Sequence, residues 1–205
     1  MNKEMNRMEI TTSGLAPFYN EYVLTINQGI KQSIIPQQGL KFLENEENGI
    51  RMKWFHLPIS SGESQLHKLV IYNDKSDICH AKLMIQYHMK SSVSVPFVYY
   101  SPHNESIMVC DDQEYYLVSG IGPNGGSSQY QTNEIDMEAY LEDKSRSTIY
   151  APISQHSYGW GMVYDITIEP HKNVSLYDWT VKREKLYDLE SAHEEFKQLL
   201  GDKVK

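Results

Sequence analysis

Apolar and polar residues alternate through most of this chain, the pattern of strands with one buried and one wet face. The alternation is cleanest at 80–88. There Ala81, Leu83, Ile85 and Tyr87 share one face, while His80, Lys82, Gln86 and His88 share the other. Stretches 21–27, 49–56 and 65–73 also read as strands, with turn-forming residues at 36–39, 45–49 and 73–77. Later strands fall at 161–169 and 174–181, joined by a turn at 170–173. The hairpin at 106–119, closed by Asp111-Asp112-Gln113, differs from these. Its strands carry β-branched and aromatic residues on both faces, which predicts an inner position between two layers. A glycine-rich break covers 120–128, and an acidic stretch at 132–147 reads as a long loop with a turn of helix. Roughly nine strands joined by short turns predict a sandwich over an open α/β sheet.

Helical spacing occurs only at the C-terminal end, where Leu189, Ala192, His193, Phe196, Leu199 and Leu200 form one stripe. Asp188 is placed to cap its first turn and Gly201 to stop it. The expected organisation is an N-terminal extension at 1–20, an antiparallel sandwich at 21–185 and a helix packed on it at 186–201. The fold class is all-β: an antiparallel two-sheet supersandwich with a C-terminal helix.

Composition narrows the function classes. A chain of 205 residues is long enough for one domain with a substantial core. A net charge of -8 argues against nucleic acid as a main partner. No run of 18 apolar residues predicts a transmembrane helix, and the first eight residues lack the apolar centre of a signal peptide. Cys79 and Cys110 are too few for a disulfide framework, so a cytoplasmic protein with reduced thiols is expected. Tyrosines outnumber phenylalanines 15 to 5, and Tyr suits strand faces, half-wet surfaces and binding sites.

Candidate chemistry is sparse. His80 and His88 share a strand face about 26 Å apart, too far to hold one metal ion. His67 and His80, if on neighbouring strands, would supply two ligands without a third, so no metal and no cofactor are expected. No metalloprotease, nucleophile-elbow or phosphate-loop motif is present. The glycines of 120–125 enclose Pro123 and follow a hairpin, which excludes a dinucleotide loop. Glu134, Asp136, Glu138, Glu142 and Asp143 lie in a polar segment where a solvated face is the default. In 155–161, glycines flank Trp160, and His156, Tyr158 and Trp160 together would present a stacking platform with polar edges, suited to a sugar face; a Trp160 buried at a sandwich edge is the competing reading. With Tyr99 and His103, these three make up the candidate ligand-binding set.

The order of the pieces carries a resemblance. The stretches 67–74, 81–88, 99–102 and 107–119, then Leu141 to Asp143 ahead of 149–156, and Leu176-Tyr-Asp-Trp179 before a helix, resemble the N-terminal β-domain of bacterial glucoamylase- and glucodextranase-like glycoside hydrolases. The likeness covers about 65–195 and implies a large antiparallel supersandwich. In that family the catalytic carboxylates lie in an (α/α)-barrel after the sandwich, so the resemblance places no catalytic residue on this chain. The expected role is a non-catalytic module that recognises a carbohydrate or a protein partner. A mutarotase- or epimerase-like enzyme is the alternative, using a carboxylate with His80, His88, His103 or His156 as base. A structural assembly component is the third reading. Neither membrane nor nucleic acid is an expected partner, and the sequence leaves the oligomeric state open.

Overall fold

A computed structural model of the chain describes residues 17–26, 30–37, 39–59, 63–90, 95–111, 114–134 and 150–201. The first strands are β1 (Phe18–Ile26), β2 (Ile30–Ile34), β3 (Phe42–Glu47), β4 (Ile50–Leu57) and β5 (Ser64–Asn73). Next come β6 (Cys79–Met89), β7 (Phe97–Ser101), β8 (Ser106–Asp111), β9 (Glu114–Ile121) and β10 (Gln129–Gln131). The short β11 (Tyr150–Ala151) and β12 (Ile153–Ser154) precede β13 (Gly159–Ile168), β14 (Asn173–Arg183) and the helix α1 (Leu186–Gly201). They form two stacked sheets, ordered β11-β10-β13-β6-β1-β2 and β12-β7-β8-β9-β14-β5-β4-β3. Pairing is antiparallel apart from the two-residue β10–β11 contact. The expected two-sheet supersandwich with one C-terminal helix is therefore present.

The main core lies between the sheets. Leu83, Ile85 and Tyr87 of β6 meet Leu69, Ile71 and Val118 of the opposite sheet, all close to fully buried. A second core lies outside the eight-stranded sheet, where Leu189 and Leu200 of α1 cover Met108, Leu117, Trp179 and Val181. This explains the two-sided hairpin. One face of β8–β9 meets the other sheet, and the opposite face meets the helix. Within α1 the apolar stripe holds except at Leu199, which is exposed. Asp188 sits in the first turn, inside the helix rather than at its cap, where its charge favours the positive helix end.

Several expectations are corrected. Among the described residues β1 begins at Phe18, ahead of the strand expected from residue 21, and Phe18 and Tyr22 both turn inward on the same face. The turn expected at 45–49 is only Asn48-Gly49, with φ of 52° and 72°, the left-handed pair of a tight two-residue hairpin. β3 was masked by its own polarity. It is an edge strand, and Glu44, Glu46 and Glu47 blunt the edge against further pairing. Gly120 belongs to β9 and not to a break after it. His67 and His80 cannot meet, because β5 and β6 lie in different sheets. Asn73 holds that crossover, its amide donating to the carbonyls of Asp77 at 2.7 Å and Ile168 at 3.1 Å. The tip of the β8–β9 turn and the acidic loop from residue 135 lie outside the described residues.

The helix is fastened by a relay. Trp179 Nε1 donates to His193 Nδ1 at 3.2 Å, and His193 Nε2 donates to the Asn104 carbonyl at 2.7 Å. Both ring nitrogens are thus used in the neutral form. Burial lowers the His193 pKa, opposed by the Asn104 carbonyl, with Lys197, Glu194 and Glu105 also acting on the ring. A depressed folded-state pKa gives stability that is full above the ordinary imidazole value and lost as pH falls through the folded one. Urea unfolding between pH 7.5 and 5 tests this. The stability advantage of wild type over His193→Gln should shrink as pH falls, and a gap that stays constant contradicts the relay.

Candidate functional site

Two clusters of titratable side chains stand out, one sealed inside the sandwich and one on its surface. The inner cluster centres on Asp178 of β14, which is fully buried. In register, Asp178 lies opposite His67 on β5 and Gly120 on β9. The Tyr22 hydroxyl, from the other sheet, donates to Asp178 Oδ2 at 2.9 Å and lies 3.1 Å from Oδ1. His67 Nδ1 lies 3.0 Å from Oδ1 and 3.2 Å from the Tyr22 hydroxyl. A carboxylate only accepts, so His67 carries its proton on Nδ1. Burial, then the Asp178 charge, holds the Tyr22, Tyr87 and Tyr164 hydroxyls well above the ordinary phenol range, so all three remain donors.

Gly120 makes room for this cluster. A Cβ there would come within 2.5 Å of the Tyr164 hydroxyl and 2.8 Å of the Tyr177 carbonyl. The cluster satisfies a buried charge and links the two sheets. With Asp178 and Tyr22 fully enclosed and His67 only 6% exposed, a sugar-sized substrate does not reach it.

The surface cluster lies on the outer face of the six-stranded sheet. Tyr19 and His88 are paired across β1 and β6, and their rings stack at 5.1 Å with 24° between planes. Glu21 Oε2 lies 3.6 Å from His88 Nε2, and Glu134 Oε1 lies 3.8 Å from His88 Nδ1. Tyr19 is 40% exposed, so part of its ring faces solvent above a histidine held between two carboxylates. Gly159 allows this approach, since its missing Cβ would lie 2.9 Å from the Tyr87 carbonyl and 3.6 Å from Glu134 Cβ. Tyr158, also exposed, stands one rung beyond, where its carbonyl accepts from the Met89 amide.

The candidate set does not assemble as a platform. Trp160 is buried between the sheets against Phe18 at 5.0 Å and Tyr87 at 6.1 Å. It alternates inward with Met162 and Tyr164, which puts the flanking glycines on the opposite face. Gly159 admits the Tyr87 carbonyl close by, and the indole stays unexposed. His156, at a left-handed φ of 60°, and Tyr158 are exposed. Tyr99 is half-buried beside Phe97 on the helix side of β7, and His103 is exposed in the following turn. Among the described residues, no hydrogen bond or ring contact joins any two of the five. Of the candidate bases, His80 is exposed beside the Thr167 hydroxyl at 3.3 Å, and among the described residues His88 alone has carboxylates on both sides. Glu21 opens the strand read at 21–27, and Tyr19 lies two residues before it on the same face, outside that reading. Tyr22 and Asp178, 156 positions apart, left no local signal.

No family model matches the chain, and no curated protein matches it. Solved structures do. A polysaccharide lyase superposes on 86% of this chain at 9% identity with a TM-score of 0.53, and a bacterial glucoamylase complexed with acarbose on 86% at 14% identity with a TM-score of 0.56. The chain spans 27% and 28% of those two structures, and at these identities the likeness is one of fold.

The closeness of Gly120 to its neighbours gives a direct check. Gly120→Ala should cost about 1–3 kcal/mol or more by overpacking. Gly201→Ala, with no neighbour within 4 Å of its added Cβ, should stay within about 0.5 kcal/mol of wild type. Equal midpoints for the two variants in urea would contradict the packing described.

Proposed function

We propose that this chain is a non-catalytic β-sandwich module that binds a neutral carbohydrate at the Tyr19–Glu21–His88–Glu134 cluster. The observation that carries the reading is the half-exposed Tyr19 ring stacked on His88 between two carboxylates. An aromatic face suits the apolar C–H side of a pyranose, and flanking carboxylates accept hydrogen bonds from its hydroxyls. Two carboxylates at one site disfavour uronate-rich, anionic polymers by like-charge repulsion. The fold supports the reading further, since the polysaccharide lyase and the glucoamylase it resembles are proteins named for carbohydrate chemistry. Tyr158, whose carbonyl accepts from the Met89 amide one rung beyond His88, would extend the same surface, with His156 close to it in sequence. No described helix is long and apolar enough to cross a membrane.

The second reading is a sugar-epimerising or mutarotating enzyme, favoured by the two carboxylates beside His88, which is the geometry of an acid–base group. One pair of measurements separates the two. Calorimetry with maltoheptaose should give a dissociation constant of roughly 0.1–1 mM, at least tenfold weaker for Tyr19→Ala, with polygalacturonate not binding. Catalysis of glucose anomer exchange, lost in His88→Asn, would replace the binding reading with the enzymatic one. Absence of both signals removes this site from either role.

A further inference from the structure

His56 and His67 face each other directly across β4 and β5. Their ring centroids are 5.4 Å apart with 49° between planes. His67 has its Nδ1 proton committed to Asp178 Oδ1 at 3.0 Å, so its remaining lone pair is on Nε2. A histidine whose far nitrogen donates to a buried carboxylate is the usual arrangement of a metal-bound imidazole, because the carboxylate fixes the tautomer and raises the basicity of the free nitrogen. At a bond of 2.0–2.1 Å, a metal lies about 3.2 Å from an imidazole centroid, so rings whose centroids are 5.4 Å apart are within the separation that one shared ion allows.

Access and charge fit a small ion better than an organic ligand. His56 is only half-buried, which opens the pair to solvent from its side, while His67 shows 6% of its surface. The Asp178 carboxylate behind His67 favours a cation, and the Lys41 ammonium acting on His56 opposes one. Among the described residues no group of three or more His, Cys, Asp or Glu converges on a metal position. Two imidazoles then leave further coordination positions to water or to an oxygen ligand. Imidazole donors select the later first-row divalent ions, copper and zinc above manganese or magnesium.

We propose that His56 and His67 form a two-histidine site for a divalent transition-metal ion, positioned by Asp178 and separate from the surface cluster. Trp54 supplies a built-in probe, with its ring 5.0 Å from His67 and 6.5 Å from His56. Trp160 and Trp179 lie elsewhere, packed on Phe18 and on Phe196.

The test titrates the full chain with Cu²⁺, reading tryptophan fluorescence and heat together. The site predicts saturable quenching with one ion per chain at micromolar concentration, weakened at least tenfold in His56→Ala. That variant leaves the Tyr22–Asp178–His67 contacts in place, so loss of fold does not confuse the result. Trp54→Phe should abolish most of the quenching while the heat of binding remains. An unchanged curve in His56→Ala, or binding lost in His88→Asn instead, would overturn the assignment.

Discussion

The buried carboxylate of Asp178 is the constraint on which the rest of the sandwich depends. A charge enclosed between two sheets is tolerated only when its oxygens are satisfied, and removing a partner leaves it uncompensated. Its partners come from both layers: His67 from its own sheet, and the Tyr22 hydroxyl from the facing one. Apolar contacts between the layers are non-directional and tolerate sliding. The Tyr22–Asp178 link does not, because it names one residue on each sheet.

That link also fixes the outer surface. Side chains alternate along β1, so holding Tyr22 inward turns Tyr19 and Glu21 outward. The pairing of β1 with β6 then places Tyr19 beside His88 and Tyr22 beside Ile85. A slip of one residue would bury Tyr19 and Glu21 and carry the Tyr22 hydroxyl away from Asp178. The surface cluster and the inner cluster are two faces of one register. The His56–His67 pair depends on the same centre, since Asp178 decides which nitrogen of His67 is free.

The fold was legible where burial is one-sided and local. Alternation at 80–88 marked β6, and helical spacing marked α1 to within the residues it occupies. The two-sided hairpin at 106–119 signalled a layer on each face, and one of those layers is the helix. The edge strands β3, β11 and β12, and β10 beside β11, were not legible, because β3 is acidic and the other three are two or three residues long. Of the two readings open for Trp160, the buried indole is the one found and the stacking platform is not. Glycines beside an aromatic residue permit exposure or close packing equally, and only strand parity decides which. The inner cluster was beyond sequence reasoning, since His67 and Asp178 are 111 positions apart and meet only through strand order.

A double-mutant cycle on Tyr22→Phe and Asp178→Asn, read by urea unfolding, tests this account most directly. Both changes keep side-chain volume and remove only the hydroxyl or the charge. A hydrogen bond to a buried carboxylate predicts a coupling of about 1.5–3 kcal/mol between the two sites. Additivity to within about 0.5 kcal/mol would mean that the sheets are held in register by packing alone, and would contradict the central role given to Asp178.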